Sequence, residues 1–180
     1  MESFELLARR RESCRAYDPD RRPTREQLTK CVAVAQNAPS ACNSQPWSVV
    51  AVNSEAMTAA VAPCLQTAGL NRFASACPAF FIVTEEPARL MRRFEGSIDS
   101  QHYAQMDVGI AAAHLCLAAE DMGLSTCIIG SFDEEMLRGA VSALEGRGPV
   151  RLVIAVGYAA SDARREKSRK PLETVLTYVE

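Results

Sequence analysis

Apolar positions recur along this chain in two rhythms, and the alternation between them sketches the fold. Short, nearly continuous apolar runs rich in β-branched residues occur at 47–53 (WSVVAVN), 78–84 (PAFFIVT), 125–130 (STCIIG) and 150–158 (VRLVIAVGY). Runs of that length and composition predict buried strands. Between them lie stretches with helical spacing and helix-start residues. A short helix is predicted over 3–12. A second opens at Thr24, with Gln27 three residues on to complete a capping box, and runs through 26–38 until Pro39 stops it. Ser54 is placed to cap a helix through 55–65, which Pro63 kinks or shortens. Further helices are predicted around 86–94, over 102–124 and, capped by Asp133, over 134–144. The tail at 171–179 (PLETVLTYV) reads as a last extended segment.

The helix at 102–124 (HYAQMDVGIAAAHLCLAAEDMGL) is apolar on more than one face and ends at Gly123. A helix of that kind must be packed on most sides. It is therefore expected to supply both core and subunit interface. No repeat, linker or low-complexity tract interrupts the order, so residues 1–180 read as one domain. Strands alternating with helices predict an α+β fold, a mixed or antiparallel central sheet flanked by helices.

Composition narrows the function without identifying it. Hydrophobic residues at 48% against 23% charged describe a globular chain. A net charge of −2 argues against a nucleic-acid partner, which calls for a basic excess. The N-terminus (MESFELLARRRES) has no apolar core of a signal peptide, and the most apolar stretch, 109–130, carries His114, Glu120 and Asp121. No membrane partner is expected, and a cytoplasmic location is. Seven cysteines without a CxxC pair, mostly in apolar surroundings, read as reduced core residues. Two histidines distant from any cysteine pair leave no metal site.

Candidate chemistry is concentrated in polar segments. No GxGxxG, Walker, GxSxG or HExxH motif is present, so an enzyme built this way needs a bound cofactor to carry the reaction. In RRRESCRAYDP (9–19), an extended chain beyond residue 11 would turn Arg11, Ser13 and Arg15 to one side. Two guanidinium forks and a hydroxyl suit a phosphate; the same residues would equally make a solvated basic helix end. In REKSRKPLE (165–173), Lys167 and Arg169 alternate again, either toward a ligand or as a charged surface loop. The third segment, NAPSACNSQPW (37–47), is over-supplied with hydrogen-bonding side chains for a connector. Ser40, Asn43 and Gln45 could meet a planar heterocycle's polar edge, or the segment could be a turn-rich loop with Trp47 filling the core.

In combination, RESCR, APSACNSQPW, GLSTCIIGSFD (123–133) and KSRKPLETV (167–175), in that order, resemble the nitroreductase family of FMN-dependent oxidoreductases. The resemblance covers nearly the whole chain. It implies an α+β homodimer with two FMN sites at the dimer interface and a C-terminal segment extending to the partner subunit. It places the ribityl phosphate on Arg11, Ser13 and Arg15, completed by Lys167 and Arg169. Four cations there would offset the roughly −1.5 to −2 charge of a phosphate monoester. It places Pro39, Ser40, Asn43 and Gln45 in the part of the site contributed by the second subunit. Ile129, Gly130 and Ser131 fall on the turn beside the flavin ring, where the backbone of Gly130 and Ser131 lies near N5. No protein side chain is implied as a catalytic acid or base.

Two features depart from the family pattern. Glu12, within the cofactor-binding segment, stands where many members carry a basic residue, and a carboxylate there opposes the phosphate unless it turns away. Only RLMRRFEGSIDSQHY (89–103) is available as a lid. The implied activity is a ping-pong reduction of nitroaromatics, quinones or related acceptors by NAD(P)H. Flavin or enone reduction, reductive dehalogenation and a non-catalytic flavin-binding or sensing role stay open as alternatives.

Overall fold

The computed structural model describes residues 3–89, 91 and 99–180. Helix α1 (Phe4–Arg10) starts at Ser3, whose hydroxyl accepts the Leu6 N–H, and ends where Arg11 turns extended. Helix α2 (Arg25–Ala35) has the capping box expected of it: Thr24 and Gln27 exchange backbone-to-side-chain bonds at 3.0 and 3.1 Å. Strand β1 (Trp47–Val52) follows, then helix α3 (Glu55–Cys64), capped by Ser54 and ending one residue past Pro63. Strand β2 (Ala79–Glu85), helix α4 (Ser100–Asp121), strand β3 (Ser125–Ile129), helix α5 (Glu134–Ala140) and strand β4 (Val150–Gly157) complete the regular elements.

The four strands form one sheet in the order β1-β2-β4-β3, antiparallel throughout. Every residue of central strand β2 is buried, which is why its sequence is continuously apolar instead of alternating. Side chains alternate between the two faces. Phe80, Ile82, Val153 and Ala155 meet α3 and α5 through Val61, Ala62 and Leu137. Phe81, Val83, Ile154 and Val156 meet α2 and α4 through Leu28, Cys31, Ala112, Leu115 and Ala119. Complete burial of Phe80 or Phe81 contributes roughly 1.5–3 kcal/mol by transfer from water. The alanines of α4 let α2 and the sheet approach it closely, and Gly123, at φ +74°, forms the left-handed stop after it.

Two contacts position the functional region. The chain leaving α1 runs parallel to edge strand β3, bridging Ser13 to Thr126, with the Cys14 N–H on Thr126 O at 2.9 Å. Tyr17 then bridges to Ala159 just beyond β4. This crossing is tight: a Cβ on Gly157 would lie 2.9 Å from the Tyr17 ring and 2.5 Å from Pro78.

Three expected elements differ. The helix expected over 134–144 ends at Ala140, where Val141 turns extended before a 3₁₀ turn at Ser142–Leu144. Residues 86–89 are not helical; the rest of the helix expected around 86–94, and most of the lid at 89–103, lie outside the described residues. The Glu86 N–H is taken by Pro46 O and the Ala88 N–H by the Gln101 side chain, so this backbone is committed to neighbours other than its own next turn. The tail at 171–179 forms only a 3₁₀ turn at Leu172–Thr174 and is exposed, and among the described residues no strand pairs with it. Among the described residues no helix is long and apolar enough to cross a membrane.

Candidate functional site

The extended segment beyond α1 places Arg11, Ser13 and Arg15 on one cavity wall, but Glu12 lies on that wall too, so the strict two-residue alternation expected is not kept. Cys14 turns inward to the core, while Arg11, Ser13 and Arg15 line a cavity of about 240 Å³ together with Arg165, Lys167 and Arg169. The structure therefore brings the two basic segments together, although they are separated by about 150 residues of chain. Arg165 was not singled out from the sequence; the signal was the alternation 165, 167, 169, which continues one step earlier than Lys167.

The segment is held in place by named contacts. Lys167 Nζ donates to the carbonyls that end α1, to Arg11 O at 2.6 Å and Ala8 O at 3.2 Å, and also to Arg9 O. It thus satisfies the orphan acceptors of a helix C-terminus. Burial, reinforced by Arg11 and Arg169, holds its ammonium below the usual lysine range. Arg164 reaches Glu120 Oε1 at 3.2 Å, and Arg10 donates to the same oxygen at 2.8 Å. Glu120 is buried at the end of α4. Glu12, on the cavity wall, does not face a ligand alone: its Oε2 accepts the Arg165 N–H at 3.1 Å.

The loop after α2 is folded on itself. Ser40 Oγ accepts the Gln45 N–H at 2.9 Å, and Gln45 Nε2 donates to Asn43 O at 3.1 Å. Cys42, Asn43 and Gln45 all hold positive φ near 50°, an uncommon geometry for side-chain-bearing residues. Pro39 is exposed at the loop entrance. The loop is tied to α4 by the Ala41 N–H, which donates to buried Asp107 Oδ2 at 3.1 Å. Asp107 was invisible in sequence because its partner is 66 residues away.

That tie sets a distance. The loop rests on Asp107, while the basic segment rests on Glu120, thirteen residues further along the same helix. At 1.5 Å per residue the two anchor points are about 20 Å apart. Ser40, Asn43 and Gln45 line no part of the cavity formed by Arg11 and Lys167 among the described residues. Ile129, Gly130 and Ser131 sit closer: Ile129 follows the Ser13–Thr126 bridge by three strand residues, about 10 Å. Among the described residues, a Cβ on Gly130 would meet nothing within 4 Å. Ser131 O accepts Asn71 Nδ2 at 3.3 Å, and Asn71, in the left-handed region, also holds Leu65 O.

Helix α4 leaves one face open. Met106, Gly109, Ile110, Ala113 and Leu117 line a groove of about 980 Å³ bordered by α1 and α2. Ala112, one position away, is buried against the core instead. Six of the seven cysteines are buried, with Cys42 exposed, and all are free thiols. Burial pushes Cys31 and Cys77 up to about 12, so neither is a nucleophile near neutrality. No group of three or more metal-ligating side chains occurs among the described residues.

The family model described as "Nitroreductase family" matches residues 8–158. The chain is 29% identical to an oxygen-insensitive NAD(P)H nitroreductase of Salmonella typhimurium, over 96% of this chain and 98% of that protein. It is 24% identical to an oxygen-insensitive NADPH nitroreductase of Helicobacter acinonychis, over 99% and 97%. Its fold is shared with a protein of Exiguobacterium sibiricum solved in complex with FMN, at TM-score 0.83 and 20% identity, over 99% of this chain and 98% of that one.

Proposed function

This chain belongs to the nitroreductase family, and from that premise we propose an FMN-dependent NAD(P)H oxidoreductase that works as a homodimer with two shared sites. The observation that carries the proposal is the single cavity lined by Arg11, Ser13, Arg15, Arg165, Lys167 and Arg169. Its donors suit a phosphate monoester: guanidinium forks and a hydroxyl, with Lys167, whose donors are taken by the end of α1, adding only positive charge. Glycine at 130, whose Cβ direction is empty of the described residues' atoms, suits close approach of a flat ring to the backbone. Ile129 and Ser131 flank that approach on the same turn.

FMN, when bound, would supply the hydride and electron-transfer chemistry of a ping-pong reduction of a nitroaromatic, quinone or related acceptor by NAD(P)H. This chain's residues bind and orient. Arg11, Arg15 and Arg169 neutralise the phosphate, and Ser13 offers it a hydroxyl. Pro39, Ser40, Asn43 and Gln45 act in the partner's site: within their own chain the loop is tied to Asp107, and these residues line no part of the cavity that holds the basic cluster. The open face of α4 and the groove around it form the two-fold contact that brings them there, and the exposed C-terminal tail lies across the partner. The same reading takes residues 1–180 as one domain acting in the cytoplasm.

Titration tests the phosphate site. The protein should show flavin absorption bands and bind FMN much more tightly than riboflavin. Arg11→Ala or Arg169→Ala removes a charge-assisted bond, about 1.5–3 kcal/mol, and should weaken FMN roughly tenfold or more while leaving riboflavin affinity unchanged. Equal affinity of the parent protein for FMN and riboflavin would refute the assignment.

A further inference from the structure

An acid in a phosphate cavity is costly unless it has another task, and Glu12 has one. Its Oε2 accepts the backbone N–H of Arg165 at 3.1 Å and stands 4.0 Å from that residue's Nε. The other end of the Arg165 guanidinium donates to Ser13 O at 2.7 Å. One carboxylate thus ties the C-terminal basic segment, by backbone and side chain together, to the strand that carries Arg11, Ser13 and Arg15. Neighbouring residues add two further ties, Arg164 to Glu120 and Lys167 to the end of α1. Arg11 makes no side-chain hydrogen bond among the described residues, and Arg169 bonds only the adjacent Ser168 O. These two cations keep their donors for a ligand.

We propose that Glu12 is a positioning residue: it clamps Arg165 so that the segment 164–169 is laid beside Arg11–Arg15 before any ligand arrives, making the phosphate cavity preformed. The proposal rests on the phosphate reading of that cavity. Preformation matters because ordering a five- or six-residue segment at the moment of binding would subtract its conformational entropy from the affinity. Arg165 also offsets the charge of Glu12, so the carboxylate presents little net repulsion to the phosphate.

The sign of one measurement separates this role from simple repulsion. If Glu12 merely opposed the phosphate, both Glu12→Ala and Glu12→Gln would tighten FMN. The clamp instead predicts that Glu12→Ala weakens FMN about tenfold with riboflavin unaffected, while Glu12→Gln, which keeps an acceptor for the Arg165 N–H, stays within about threefold of the parent. In the flavin-free protein, trypsin should cut within 164–170 about tenfold faster in Glu12→Ala than in the parent. Arg165→Ala keeps its backbone N–H on Glu12 but loses the side-chain tie to Ser13 O, so it should weaken FMN less than Glu12→Ala, and the double variant Glu12→Ala/Arg165→Ala should be weaker than Arg165→Ala alone. If Glu12→Ala does not fold, Glu12→Gln and Arg165→Ala decide. An FMN affinity in Glu12→Ala equal to or tighter than the parent's, or unchanged in Arg165→Ala, overturns the clamp. A parent that fails to distinguish FMN from riboflavin sinks the phosphate reading instead, and the trypsin rates still show whether the segment is clamped.

Discussion

Ala113→Glu should leave a folded monomer that has lost most of its flavin. Ala113 is on the open face of α4, lining the groove with Met106, Gly109, Ile110 and Leu117, and contributes nothing to the core beneath. Within one chain the new carboxylate stands in water, so helix content should be unchanged. Across a two-fold contact it would be desolvated near its own symmetry copy, and an unpaired buried charge costs several kcal/mol. On the proposed reading each site takes its loop from the other subunit, so the monomer has only half a site. FMN occupancy should fall at least tenfold along with dimerisation, and excess FMN should partly restore the dimer by mass action. Light scattering with simultaneous flavin absorbance reads both quantities. The neighbouring Ala112→Glu makes the contrast: Ala112 is 2% exposed in the α2–α4–sheet cluster, so that substitution should unfold the chain instead.

Arg151→Ala should produce a large loss of stability without touching the phosphate cavity. Glu85 closes β2 with its side chain 1% exposed, paired to Arg151 on the adjoining strand β4 and to Gln101 Nε2 at 2.6 Å. Without Arg151 a buried carboxylate keeps one neutral donor, and breaking a buried pair this way costs on the order of 3–5 kcal/mol. For a chain of this size the melting temperature should fall by roughly 6 °C or more. The backbone offers no relief, since a Cβ on Gly148 would lie 1.7 Å from Glu85 O, which shows how closely the two segments are pressed together. Replacing both partners by leucine should recover most of the loss, because neither charge is then left buried. A circular-dichroism melt of Arg151→Ala within about 2 °C of the parent would show instead that water reaches Glu85.

The contrast between these sites explains what the sequence could and could not reveal. Strands β2 and β4 were legible because burial on both faces demands continuous apolar runs, and α2, α3 and α5 because Thr24, Ser54 and Asp133 make local caps. The helix expected at 86–94 is contradicted at 86–89, where backbone donors are taken by Pro46 and by Gln101, partners that no local pattern encodes. Within the site, Arg11, Ser13 and Arg15 were readable as a basic stretch leaving α1, though Glu12 shares their cavity wall and breaks the two-residue alternation. Glu12 looked adverse because its compensating partner, Arg165, is 153 residues away. Asp107 and Glu120 read as polar positions on an apolar helix, and only their contacts show that they anchor opposite parts of the site.

The central claim is that each site is built from two chains, and subunit complementation tests it most directly. One variant, Arg11→Ala/Arg169→Ala, lacks the phosphate grip; a second, Asn43→Ala/Gln45→Ala, lacks the loop contribution. Each alone should form dimers with two defective sites. Co-expressed, they pair at random, so half of the dimers are mixed, and each mixed dimer has one site with every residue intact. FMN titration of the mixture should therefore show about a quarter of all sites recovering the parent's affinity. A mixture that binds FMN no better than the two variants measured separately would show that the loop and the basic cluster do not meet across the dimer.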